Sequence, residues 1–402
     1  MDTSKKNIIV PMLLIGVMYA VLGFALGINA FFIPFVKEAF QISTAMSYLV
    51  MTATFSAFVV FGALSGEILK KAGYKGGMVI AFMIMATGFF LITTAAKSVS
   101  FPLLLLALFI SGLGQALLTG AVNTYVSIVG PEESAAKRIA LMGICNKTSY
   151  AAASLILALF MDLANVRIED TILPFYMITG ALLGMGFLFY FSPLPGIKAV
   201  GEEDHDEDIP ESTVYSKSKT NIFQFPHLLL GVVAIFFVIG AETIALGTIN
   251  DYATILNLPS PENYIWFASA GMVTGYLLGV LFVPNYVSQH TVLLLSTVSG
   301  IIVTLTILAV PAKIAIYLVA LLGLANAMMW PAVWPLAIAD LGKFTKAGSS
   351  LLVTGIIGGA FLPLLFGYAA EKTSYQVAYL VCLPAYLYII YYALSGSRIR
   401  IT

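Results

Sequence analysis

The sequence predicts an all-α membrane protein whose twelve transmembrane helices form two pseudo-symmetric six-helix bundles. Three observations predict it. Of the 402 residues, 60% are hydrophobic and 10% are charged, with a mean hydropathy of +0.96; a soluble chain carries about 25% charged residues. Apolar runs of about 18 residues or more, enough to cross a bilayer as a helix, recur along the whole length. One long polar stretch, "GIKAVGEEDHDEDIPESTVYSKSKTN", divides those runs into two sets.

The first six spans are predicted at 8–36, 44–69, 76–97, 100–129, 136–162 and 171–193. The second six are predicted at 225–255, 262–284, 289–310, 313–338, 346–370 and 374–395. The first span lacks a small-residue cleavage site, so a retained helix is expected and not a signal peptide. After the second span, the basic loop "KKAGYKGG" is expected to pair with acids such as Glu67; its counterpart after the eighth, "VPNYVSQH", has lost those charges. The polar stretch is acidic and poor in large apolar residues, as a flexible linker or surface loop would be. The expected domains are therefore a bundle at 1–195, a linker at 196–224 and a second bundle at 225–402.

Basic residues set the orientation. Fourteen of the 20 Lys and Arg residues fall on the side of the N-terminus and five on the other, with Lys147 on neither, so both termini and the linker are expected in the cytoplasm. Cys145 and Cys382 lie inside apolar segments, so neither a disulfide framework nor a metal cluster is expected. His205 and His290 fall in loops and His227 at a span edge, and no nucleophile or paired-carboxylate arrangement can be assembled. No glycine-rich phosphate loop is present. An enzyme, an ATP-driven pump and a nucleic-acid binder are not expected, and neither is any cofactor. "NKT" at 146 is formally a glycosylation sequon, but it lies in mid-span.

The halves also match each other. "GPEESAAKRIALMGI" (130–144) aligns with "GKFTKAGSSLLVTGI" (342–356) at a constant offset of 212, and "GLGQA" (112–116) with "GLANA" (323–327) at 211. The fourth and fifth spans thus correspond to the tenth and eleventh, as parallel repeats do. Together with the twelve spans and central linker, this points to the major facilitator architecture, in which substrate binds at mid-membrane between two rocking halves.

Several segments resemble the fucose–galactose–glucose symporter family of sugar carriers, which includes the fucose permeases. They are "NAFFIPFVKEAF", "LKKAGYKGG", "GLGQALLTGAVNTYVSIVGPEESAAKRIALMGICN", "GAET" and "ADLGKFTKAGSSLLVTGIIGGAFLPLLFGYAAEKT". The resemblance touches both halves and implies a sugar carrier, with Asn123 and Asn146 on asparagines of the family motifs. The departures are informative. The family's acid after the first-span asparagine is Ala30 here, the fucose permease's acid four residues before the fourth-span asparagine is Thr119, and Lys147 replaces a small residue. The chain is similar to a divergent member, and inherited proton coupling is put in doubt.

Lys147 is the only charged residue between Ile139 and Met161. It stands roughly 13 Å from the cytoplasmic end of its span at 1.5 Å per residue, too deep to snorkel with ease. An ionisable side chain at that depth faces a cavity or a partner. Either a structural ion pair or a contact with substrate answers to that, and the cavity reading is preferred. Glu242 is the other deep charge; a bridge between the two requires the lysine stem to reach upward or a break near Gly240 or Gly247. Asp251, Asp162, Glu67 and Asp340 sit near span ends, where solvated or capping roles are the default.

Asn29, Gln115, Asn123, Asn146, Asn250 and Asn326 supply amides suited to hydroxyls that both donate and accept, although a buried amide equally serves as interhelical glue. Trp330 follows Asn326 by four residues, on the same helical face, and is the expected platform for the apolar face of a pyranose. Trp334 is left to packing and Trp266 to the interface. The expected substrate site is Asn29, Asn123, Asn146, Lys147, Glu242, Asn326 and Trp330, with Glu242 holding a coupling proton or sodium ion.

The expected function is secondary active transport of a hexose or related monosaccharide by alternating access, coupled to a cation, in the inner membrane of a bacterium, by a monomer. An acidic sugar such as a uronate or sialate, an uncoupled facilitator and drug efflux are the rival transport functions. A non-transporting sugar sensor would usually need an output domain or tail, and this chain stops about seven residues after its last span.

Overall fold

A computed structural model describes residues 9–161, 166–196 and 214–400. Lys5, Lys6, Asp162, Lys198 and His205 lie outside the described residues, as does most of the linker. Every crossing is a helix, the form that satisfies its own backbone polar groups in lipid. Ten helical stretches are long and apolar enough to cross a membrane, and Leu49–Gly62 is a shorter apolar one. The helix carrying Lys147 completes twelve.

In the first half these are α1 (Ile9–Ala39), α2 (49–72), α3 (74–97), α4 (Phe101–Ile128), α5 (Ala135–Ala158) and α6 (Ile172–Tyr190). A one-turn helix, Thr44–Ser47, precedes α2, with the Ser43 hydroxyl accepting from the Met46 amide. Gly73 parts α2 from α3 at φ 69°, a conformation that only glycine adopts without strain. In the second half, α7 is Pro226–Gly247, continued after Thr248 by Ile249–Ile255; α8 is Ile265–Phe282 and α9 is Gln289–Ala309. The remaining crossings are segmented. They are α10 (Ala312–Ala327, then Met329–Ile338), α11 (Thr345–Thr354, Gly355–Ile357, Gly358–Lys372) and α12 (Tyr375–Ala378, Tyr379–Val381, Cys382–Leu394).

The break in α10 has a visible cause. Pro331 has no N–H for the Ala327 carbonyl, and its ring crowds that carbonyl, so the chain steps through Met328 at φ −87°, ψ −1°. The span expected over 313–338 is present, at Ala312–Ile338, as two helical segments joined at Met328.

Several crossings within the halves bring backbones unusually close, among them α1 with α5 and α7 with α11. A Cβ on Gly23 of α1 would stand 1.9 Å from the Asn146 carbonyl oxygen of α5, and one on Gly27 2.2 Å from that of Tyr150. A Cβ on Gly358 of α11 would stand 1.8 Å from the Phe236 carbonyl oxygen of α7, and one on Gly355 2.4 Å from that of Val232. Small residues make such approaches available in lipid.

Between the halves, α2 packs on α11 and α5 on α8. Toward the end of the bundle where the termini lie, the Ser65 hydroxyl of α2 meets that of Ser350 at 3.1 Å. Gln289 donates to the Glu133 carbonyl there at 3.5 Å. Toward the opposite end, the Tyr48 and Tyr375 hydroxyls meet at 2.9 Å, and Tyr375 donates to Asp251 at 2.7 Å. Halves touching at both ends enclose what lies between them.

Candidate functional site

That enclosed space is a central cavity of about 90 Å³, drawn in below the roughly 300–1,000 Å³ usual for small-molecule sites. Its walls come from α1, α2, α4, α5, α7, α8, α10 and α11. Among the described residues, α3, α6, α9 and α12 stay outside it.

Lys147 and Glu242 meet here. The α5 ammonium donates to the α7 carboxylate, and the two residues are 6% and 7% exposed. The bridge forms with α7 unbroken at Gly240; the helix steps only at Thr248, beside Gly247 and past Glu242. Each ion removes the other's largest cost, since one buried charge alone costs several kcal/mol. The ammonium also stands 5.7 Å from the centre of the Tyr150 ring, a weak cation–π contact.

Asn123 is the most heavily engaged amide. Its carbonyl oxygen accepts from the Tyr19 hydroxyl at 2.6 Å and from the Trp330 indole N–H at 3.1 Å, while its nitrogen donates to the Thr119 carbonyl at 2.9 Å. Asn146 donates to the Tyr19 carbonyl at 3.0 Å. The Asn29 oxygen accepts from the Thr54 hydroxyl at 3.1 Å, and its buried nitrogen has no partner. No protein group among the described residues hydrogen-bonds the hydroxyls of Thr119, Tyr150, Thr243 or Tyr276 on the cavity wall, leaving them open to a ligand.

Six of the seven residues expected at the site line this cavity; Asn326 does not. It is fully buried within the second half, where its oxygen accepts from the Tyr386 hydroxyl at 2.8 Å. The expectation that it shares a face with Trp330 fails because the Met328 step lies between them. Gln115, its counterpart in the repeat, is also buried and bonds Ser111 at 3.1 Å. Asn250 caps the start of α8, accepting from the Ile265 amide at 2.8 Å.

Asp251 corrects the default given to acids at span ends. It is 5% exposed and held by Tyr375, not solvated. Asp340 pairs with Arg400. Glu67 pairs with Lys70, one turn away at 2.7 Å and on the surface. Trp334 is fully buried, with its ring 4.9 Å from that of Trp330.

Sequence reasoning missed the tyrosines. Tyr19, Tyr150 and Tyr276 wall the cavity and Tyr48 and Tyr375 close one end of it, but among 20 tyrosines nothing local singled them out. Thr119 carried the one usable signal, as the position where the resembling fucose permease holds an acid.

The sequence pattern of the Major Facilitator Superfamily matches residues 15–354. A glucose/galactose transporter of Brucella abortus is 28% identical over 98% of this chain and 96% of its own. A putative glucose/galactose transporter of Helicobacter pylori is 26% identical over 95% of each chain. An L-fucose-proton symporter of Escherichia coli is 22% identical over 92% of this chain and 89% of its own. Among solved structures, the transporter FucP in its outward conformation superposes with a TM-score of 0.76 over 96% of this chain and 98% of that one, at 21% identity, a likeness of fold. With twelve helices, halves meeting around one cavity and a family match across most of its length, the chain belongs to the Major Facilitator Superfamily and is a multi-pass membrane transporter, not an enzyme.

Proposed function

We propose that this transporter carries a neutral monosaccharide by alternating access, as a cation-coupled symporter. The observation that carries the reading is the Lys147–Glu242 bridge, one ion from each half, set in an enclosed cavity beside unpaired hydroxyls and Trp330. A sugar hydroxyl both donates and accepts, and Asn29, Thr119, Tyr150, Thr243 and Tyr276 offer both roles. Trp330 offers an apolar face. The relatives named for glucose, galactose and L-fucose support the same class.

A neutral cargo is favoured over a uronate or sialate because the ammonium already has its anion. An acidic sugar would have to displace Glu242 from Lys147 and leave that carboxylate buried without its cation. Glu242, on α7, is the acid assigned to coupling, taking a proton or sodium ion when Lys147 turns to the sugar. The remaining parts of the reading are an inner-membrane location, cytoplasmic termini, a linker at 196–224 between the two domains and a monomeric carrier.

The test is uptake into proteoliposomes of labelled glucose, galactose, L-fucose, a uronate and a sialate, with proton and sodium gradients imposed separately. Accumulation of a neutral sugar under one gradient is expected. Accumulation of only the acidic sugars, or no gradient dependence at all, would replace the reading.

A further inference from the structure

We propose that Asn123 is a positioning residue for the sugar's aromatic platform, holding Trp330 in place only while the termini end of the carrier is closed. The proposal rests on the sugar reading above and adds to it a sidedness of affinity.

Hydrogen-bond capacity comes first. An amide carbonyl has two lone pairs, and both of Asn123's are taken, by Tyr19 and by Trp330. One N–H is spent on the Thr119 carbonyl. A group with a single N–H left, 2% exposed, makes a poor ligand for hydroxyls. Trp330 is its complement. It is partly exposed on the cavity wall, and its only polar atom is tied down. With the indole N–H held by Asn123 and Trp334 packed 4.9 Å from its ring, Trp330 has little freedom to turn. A flat surface fixed before binding spares the ligand the cost of ordering it.

The bond also crosses the halves. Asn123 belongs to α4, five residues before its end at Ile128, and Trp330 to α10, eight before its end at Ile338. Both ends lie toward the termini. When the halves part on that side, Asn123 and Trp330 separate and the indole loses its anchor. Tyr19 and Asn123 sit in the same half and stay bonded, so the amide oxygen is never left bare. The opening therefore releases the platform without stranding a buried acceptor. The site accordingly binds sugar more tightly when it faces the far side than when it faces the termini side, as a carrier that loads on one side and unloads on the other requires.

The experiment uses the full chain in oriented proteoliposomes, with whichever of glucose, galactose or L-fucose the wild type exchanges fastest. Half-saturation for exchange is measured separately at each face. The wild type is expected to show a value at least fivefold lower at the far face. Asn123→Leu is expected to raise the far-face value about tenfold and to leave the termini-face value within twofold. Trp330→Phe, which keeps a ring but loses the N–H, is expected to do the same, and the double variant no more than either single one. Asn123→Asp, which retains an acceptor for the indole, is expected to restore most of the asymmetry.

Equal half-saturation at the two faces of the wild type overturns the proposal. So does an equal rise at both faces in Asn123→Leu, the mark of an ordinary ligand or of general damage, or no rise at either. If the wild type exchanges no sugar, the sugar reading fails first and the proposal falls with it; if it exchanges sugar without asymmetry, only the proposal fails.

Discussion

In the first half, α1 supplies the glycines where it crosses α5, and in the second half α11 supplies them where it crosses α7. At the repeat offset of 212, Asn146 and Lys147 of α5 correspond to Gly358 and Gly359 of α11; the close approaches set Gly23 of α1 on Asn146, and Phe236 of α7 on Gly358. One tight approach is thus made twice, with glycine on opposite partners. Where α1 gives way, α5 is free to project an amide and an ammonium into the cavity. Where α11 gives way, the charged group comes from α7 instead. The exchange of small and large residues at equivalent crossings is what lets two copies of one architecture meet with opposite signs.

The largest effect is expected from breaking the charge pairing itself. Glu242→Gln leaves the ammonium buried without its anion, at a cost of about 3–5 kcal/mol, visible as a large loss of thermal stability in the purified carrier. Gradient-driven accumulation is abolished while some sugar exchange survives. The double variant Lys147→Met/Glu242→Gln should regain most of the stability; a double variant no more stable than Glu242→Gln would show that the halves are not coupled through this pair.

Next come the crossings. Gly23→Ala and Gly358→Ala each force a Cβ into a carbonyl oxygen, and each should cost about 1–3 kcal/mol as overpacking. Gly180→Ala and Gly184→Ala, whose Cβ atoms would meet nothing within 4 Å, should leave stability unchanged or raised in the same assay. Equal losses at all four would mean that the approaches are not what limits these positions.

The closed end opposite the termini divides unequally between the halves, since Tyr48 comes from the first and both Tyr375 and Asp251 from the second. Tyr375→Phe strips a buried carboxylate of its donor, at about 1.5–3 kcal/mol against the closed state, whereas Tyr48→Phe forfeits a neutral bond worth about 1 kcal/mol. Spin labels at Glu38 and Thr254, exposed residues flanking the cleft between α1 and α7, should move apart more in the first variant than in the second. The reverse order would relocate the latch.

For the sugar, Lys147→Ala should weaken binding more than tenfold, about 1.4 kcal/mol, measured by titration with the transported sugar. Asn326→Leu is the smallest expected effect, with sugar half-saturation within twofold of wild type, because that amide faces Tyr386. A tenfold loss there would put Asn326 back among the ligands.

Residue depth and polarity were enough to bring Asn29, Asn123, Asn146, Lys147, Glu242 and Trp330 to one cavity, because a polar group in hydrocarbon has few other places to go. Asn326 obeyed the same rule differently, by finding Tyr386 inside its own half. Its misplacement was foreseeable from Pro331, whose missing N–H resets the helix between Asn326 and Trp330. The tyrosines were not foreseeable, since a phenol is at home in a core, at an interface or on a cavity wall, and only packing chooses among these. Asp251 was hidden by position, because its partner lies 124 residues away at the start of α12.

The ammonium and carboxylate drawn from opposite halves bear on how the carrier feels voltage. A membrane potential does work in proportion to the charge carried through it, about 2.3 kcal/mol per elementary charge per 100 mV. Locked together, Lys147 and Glu242 cross any part of the field as a zwitterion, and a neutral hexose adds nothing. The empty carrier then reorients without electrical penalty. On the proposed assignment of Glu242 to coupling, a proton taken there would leave the loaded carrier with one net positive charge, and an interior-negative potential would pull that form inward. The electrical driving force would then fall on the loaded stroke and spare the empty return.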